Sequence, residues 1–246
     1  MLLPLVVVAA LAGAGWGFLV PGLVDRYAVE WPDGTPQPPW RTACPHCHAD
    51  RAAWWRATPD CAGCGDHPWP GRLLTVPLSA AACGLVAYAI GPDPVLPAFL
   101  LLAGLAVPLA LVDLRVLRLP DPLVGAAFLG GVVLLVVATA AAQSVTSLAR
   151  AGAAGLACGA SYLTLALLPR SQLGFGDVKL GAVLGLYLGW LGWPVVVTGV
   201  LLAPLVNLPL VVGLLIVRRA GRRTLVPYGP AMLAAAVAAV VVGAVR

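Results

Sequence analysis

The stretch LLPRSQLGFGDVKLGAVLGLYLGW (residues 167–190) decides how this chain is read. Its surroundings are apolar, yet Asp177 and Lys179, the single lysine of the protein, stand where a membrane-length hydrophobic segment begins. Charge at such a depth is costly and rare, so a carboxylate there is by default a functional group. The glycines ahead of it, Gly174 and Gly176, let backbone or an extended substrate approach closely. A phosphate-binding loop is excluded. The glycine spacing of GFGDVKLG fits neither nucleotide motif, and no strand precedes it.

The chain as a whole is 61% hydrophobic and only 10% charged, with a mean hydropathy of +0.95. Soluble domains carry about 25% charged residues. Apolar stretches cover residues 2–24, 74–90, 95–112, 123–142, 148–168, 180–193, 194–217 and 232–245. They predict an all-α polytopic membrane protein with about eight transmembrane helices. Lysine and arginine gather in cytoplasmic loops. Eight crossings with an outside N-terminus leave only Arg150 and Arg246 outside, so thirteen of the fifteen basic residues lie within. A single crossing over 180–217 would send the RRAGRR cluster (218–223) to the opposite face. The first stretch has no basic residue before it, so it reads as an uncleaved helix rather than a signal peptide. The expected organisation is a first transmembrane helix (1–24), a cytoplasmic loop (25–73) and a seven-helix membrane domain (74–246). The net charge of +5 is that of loop anchors. The partner is the lipid bilayer, and no basic aromatic patch suggests nucleic acid.

The loop carries CPHCHADRAAWWRATPDCAGCGDH, with Cys44 and Cys47 in one CxxC and Cys61 and Cys64 in the other. Four soft ligands in two pairs suit a closed tetrahedral Zn²⁺ site. Disulfides are the competing reading. They require an oxidising compartment, whereas charge places this loop in the reducing cytoplasm. A four-thiolate site leaves no open position for chemistry, so the expected zinc is structural. His46, His48 and His67 read as surface residues, and Cys83 and Cys158 as small buried apolar side chains.

Four acidic residues follow the loop: Asp93, Asp113, Asp121 and Asp177. Asp93 sits in a GPDP turn, and Asp121 before Pro122 reads as a helix N-cap. Asp113 and Asp177 could also be helix-end residues, the first paired with Arg115 or Arg118 and the second an N-cap. Two predicted helices separate them, and an even number of crossings returns the chain to the same face. Both carboxylates therefore lie at one depth on one side. A close carboxylate pair shares a proton. One member can activate water while the other, protonated, polarises a carbonyl. That is aspartic protease chemistry.

These residues resemble a known family. GFGDVKL is similar to the GxGD signature of the type IV prepilin peptidases, DLRVLRLPD from Asp113 to their first aspartate motif, and PYGP at 227–230 to their late proline-glycine motif. Paired CxxC motifs in the first cytoplasmic loop are typical of members with two activities. The resemblance implies cleavage of prepilin-like leaders at the cytoplasmic membrane face. It assigns Asp113 and Asp177 as the catalytic pair, and Gly174, Gly176, Lys179, Pro227 and Gly229 as motif positions. Lys179, as a cation near Asp177, would favour its charged form. S-adenosylmethionine is a cofactor only of members that retain N-methylation. Such members have an Asn-containing stretch after the first helix, where this chain has GWGFLVPGLVDRYAVEWPDG. Weak or absent methyl transfer is therefore expected. Two alternatives stay open: a GxGD protease of other transmembrane substrates, and an ion-coupled transporter binding its ion between the aspartates.

Overall fold

A computed structural model describes residues 2–29, 40–50, 60–65, 67, 69–169, 171, 173–216 and 227–244. The arginines of RRAGRR, with Arg51, Arg56 and Arg170, lie outside the described residues. Nine helices account for most of what is described: α1 (Leu2–Gly17), α2 (Val20–Tyr27), α3 (Arg72–Ile90), α4 (Leu96–Val116), α5 (Asp121–Ala142), α6 (Val145–Ala166), α7 (Phe175–Leu191), α8 (Trp193–Ile216) and α9 (Gly229–Ala244). Among the described residues there is no strand beyond one isolated bridge, Ala43 to Asp50.

Among the described residues α3, α4 and α5 are long and apolar enough to cross a membrane by length and composition. The first predicted span, 2–24, is not one straight helix. It divides into α1 and α2, which meet at a 46° bend and would together make a fourth span. The break has local causes. Pro21 lies in the first turn of α2, where its missing N–H costs nothing. The carbonyl of Gly17 is satisfied from outside the helix by Thr75 Oγ1 at 2.8 Å. Gly17 also lets α3 close in, since a Cβ there would stand 2.6 Å from Val76 Cα.

The helices pack chiefly as α6 on α7, α1 on α3 and α8 on α9, with α9 also touching α3, α4 and α7. The α6–α7 seam is built from small residues. Gly181, Gly185 and Gly189 of α7 face α6 so closely that a Cβ at Gly185 would lie 2.6 Å from Ala154 O, and one at Gly189 would lie 2.5 Å from Ala154 Cβ. Small-xxx-small spacing of this kind lets helix backbones pack in lipid, where water supplies no hydrophobic drive. Cys158 fills this seam against Gly185, and Cys83 packs on Gly13, as expected of buried small side chains. At the far end of α7, Arg150 Nε donates to Gly189 O at 2.7 Å and its Nη2 to Trp190 O at 2.5 Å, satisfying carbonyls that the helix end leaves open.

Candidate active site

Helix α4 runs one turn beyond the predicted span, so Asp113 sits inside it and is buried. A buried carboxylate needs donors. Asp113 Oδ2 accepts the backbone N–H of Gly229 at 3.0 Å. Gly229 opens α9, whose first N–H groups have no partner in their own helix. The positive end of the helix thus faces the carboxylate. Glycine permits this close approach, because a Cβ would lie 2.8 Å from Asp113 Oδ2. Pro227 and Tyr228 lead into the helix, and the Tyr228 ring lies tilted on Tyr162 of α6, centroids 6.5 Å apart.

Asp177 is half-buried in the first turn of α7, which starts at Phe175 rather than at the expected Leu180. Its Oδ2 accepts the N–H of Gly174 at 3.1 Å. The carboxylate therefore reaches back to the N-cap backbone from the third helical position, the acidic half of a capping box.

Between these two helix starts lies Leu119, a residue the sequence gives no reason to single out. Leu117 closes α4 in the left-handed region, φ 53°, with its N–H on Asp113 O at 2.8 Å. That conformation costs a non-glycine residue roughly 1 kcal/mol. The reversal carries Leu119 to both motif glycines. A Cβ on Gly176 would meet Leu119 Cβ at 3.2 Å, and one on Gly229 would meet Leu119 Cδ2 at 3.3 Å.

Asp113 and Asp177 line one cavity of about 430 Å³. Gly174, Gly176 and Lys179 share its walls, with Arg118, Leu117 and Phe175. Tyr27, the last residue of α2, and Val29 just beyond it also line the cavity. Lys179 pairs with another carboxylate: its Nζ contacts Asp121 Oδ1 at 2.6 Å, an exposed pair on the cavity rim. One expectation needs correction. Asp121 in turn is no N-cap. It is the first residue of α5, the cap is Pro120, and no side chain caps that end. Lysine is long enough to reach across to the facing helix, and the more exposed carboxylate takes it.

The cysteines form a second centre. Their four Sγ atoms lie within 4.8 Å of one another, with Cys44–Cys64 at 3.7 Å and Cys47–Cys61 at 3.4 Å. A disulfide would need about 2.05 Å. Tetrahedral zinc with bonds of ~2.3 Å separates its sulfurs by ~3.8 Å. The donor set fits zinc. The two knuckles are built alike: His48 N–H returns to Cys44 O at 3.0 Å, and Gly65 N–H to Cys61 O at 2.8 Å. The residue after each second cysteine is left-handed, His48 at φ 57° and Gly65 at φ 71°. His48 is thus a turn residue, and His67 pairs with Asp60 at 2.9 Å. Backbone N–H groups of Cys64 and Gly63 hold the Cys61 thiol at about 6, so it offers a thiolate at neutral pH.

Residues 99–212, which include both aspartates, match the model of the type IV leader peptidase family. The prepilin leader peptidase/N-methyltransferase of Aeromonas hydrophila is 30% identical over 224 residues, covering 80% of this chain and 72% of that protein. The protein of the same name from Dickeya chrysanthemi is 31% identical over 194 residues, 74% of this chain and 64% of the relative. No solved structure matches the chain. A buried carboxylate and a half-buried one face a common cavity within an all-helical membrane scaffold, and the chain belongs to the type IV leader peptidase family.

Proposed function

We propose that this protein is a membrane aspartic endopeptidase that removes the leader from type IV prepilin or pseudopilin precursors at the cytoplasmic face of the membrane. The observation that carries this reading is the meeting of Asp113 and Asp177, 64 positions apart in the sequence, in one cavity of a leader peptidase family member. The pair works as a unit. One carboxylate takes a proton from water as it attacks the scissile carbonyl, and the other, protonated, donates to the carbonyl oxygen. The proton then passes to the leaving amine. Gly174 and Gly176 leave room for an extended peptide beside Asp177, and exposed Phe175 and Leu117 give the mouth an apolar edge for the substrate's helix.

Eight crossings, an outside N-terminus and a cytoplasmic cavity complete the reading, supported by the distribution of basic residues. Cys44, Cys47, Cys61 and Cys64 would hold a structural Zn²⁺, which supplies cross-linking to a small loop rather than chemistry. Methyl transfer is weak or absent, because the stretch after the first helix lacks the features expected of methylating members.

The decisive experiment is gel-shift processing of a prepilin in membranes that hold each variant at matched abundance. Asp113→Asn and Asp177→Asn each abolish cleavage, while Asp121→Asn retains it. Normal processing by Asp177→Asn would falsify the aspartic assignment. Labelled S-adenosylmethionine with processed pilin tests the second part, where strong labelling of the new N-terminus would overturn it.

A further inference from the structure

The cysteine module and the cavity are joined by a short clasp that neither function explains. Trp40 and Arg41 immediately precede the first knuckle, and they grip the end of α2. Arg41 Nη1 meets Asp25 Oδ1 at 2.8 Å and its Nη2 donates to Ala28 O at 3.2 Å. The backbone N–H of Arg41 donates to Arg26 O at 2.7 Å. Beside them the Arg26 guanidinium lies over the Trp40 ring at 5.7 Å, within cation–π range. The ion pair is largely buried, with side-chain exposures of 17% for Arg41 and 8% for Asp25. A pair removed from water in this way adds little net stability; together with the two contacts to backbone carbonyls it fixes how the loop meets the end of α2.

What it fixes is the cavity wall. Val20, Val24 and Ala28 pack with Val107, Leu111 and Val112 of α4, the turns just before Asp113. Tyr27 and Val29, on either side of the carbonyl that Arg41 holds, line the cavity with both aspartates. A second contact ties the far end of the module to the same helix, where Arg115 Nη1 donates to Trp69 O at 3.4 Å.

We propose that Arg41 is a positioning residue of the peptidase: it docks the cysteine module on Asp25 and Ala28 and so sets Tyr27 and Val29 as the wall against which the leader peptide binds. The inference rests on the peptidase reading for its substrate and on the geometry alone for the clasp. It makes the module a part of substrate binding, not of bond cleavage.

Two measurements separate these parts. Arg41→Met alone takes one partner from a buried carboxylate, so the double variant Asp25→Asn/Arg41→Met, which removes both charges, is the main test. Its KM for prepilin should rise roughly tenfold with kcat within about twofold of wild type, and its metal content should match. Arg41→Lys keeps the charge but not the forked reach, and should recover part of the loss. Hydrogen exchange at Ala28 and Val29, whose amides bond Val24 O and Tyr27 O, should quicken in the double variant while α4 stays protected. An unchanged KM, or kcat falling with KM fixed, overturns the role in binding. Unchanged exchange at those amides overturns the clasp. If the wild-type protein cleaves no leader, the peptidase reading and the substrate part fall together, while the exchange result still decides the clasp.

Discussion

Gly229→Ala is the sharpest probe of the site, because one methyl group meets a buried carboxylate. The new Cβ would stand 2.8 Å from Asp113 Oδ2, 3.2 Å from its Cγ and 3.3 Å from Leu119 Cδ2. Comfortable carbon contacts lie nearer ~3.5–4.0 Å, so something must move. Leu119 cannot yield freely, being set against Gly176 on its other side. The carboxyl group therefore leaves the Gly229 N–H, or α9 shifts its first turn. Either way the 3.0 Å bond to Asp113 is lost. A hydrogen bond to a charged group contributes about 1.5–3 kcal/mol, which corresponds to roughly 10- to 150-fold in rate if the lost bond holds the reactive geometry. First-order processing of a prepilin in membranes at matched abundance measures this, with thermal denaturation in detergent as the check on folding. Gly125→Ala, where nothing lies within 4 Å of the added carbon, is the control. A folded Gly229→Ala protein processing within about threefold of wild type would refute the argument that this amide positions Asp113.

Gly185→Val should destabilise the protein by about 1–3 kcal/mol or more, since its Cβ alone meets Ala154 O and Cys158 across the α6–α7 seam; a lower detergent melting temperature checks it. Lys179→Met removes an exposed pair with Asp121, worth only about 0–1 kcal/mol, so processing should fall by less than about fivefold. A loss as complete as that of Asp177→Asn would show that the lysine serves the carboxylate pair after all. Purified protein should carry zinc at the cysteine site, and Cys44→Ser should lower that content on metal analysis. Stable Cys–Cys bridges in mass spectrometry would count against it.

Helix existence was legible because spanning apolar stretches leave few alternatives, whereas helix ends were not. Hydropathy stops at the first charge, so it placed Asp113 and Asp177 at span edges. In the structure backbone hydrogen bonding continues past both, and α4 ends at Val116. The break after Gly17 depends on Thr75, a partner 58 residues away, which no local pattern reports. The aspartate pair could be found by counting crossings, without any contact information. Its surroundings could not: Leu119, Tyr27 and Val29 are ordinary apolar residues locally, and only the meeting of α2, α4, α7 and α9 gives them a place. Sequence proximity sets Lys179 beside Asp177, whereas the structure pairs it with Asp121 on another helix. The four-residue repeat of Gly181, Gly185 and Gly189 marks a helix–helix seam by itself.

That repeat has a consequence for how the chain can vary. Asp177 stands four residues before Gly181, so the carboxylate continues the row that the three glycines begin. Each added or deleted residue turns everything ahead of it by about 100° around the helix. The glycines are locked in phase by α6, and Arg150 pins the opposite end by its bonds to Gly189 and Trp190. A single insertion between positions 177 and 181 would leave hydropathy, charge and composition almost untouched, yet swing the carboxylate off the cavity. Within this helix length is a stricter constraint than chemistry: an apolar exchange can be absorbed, but a change of register by one residue cannot.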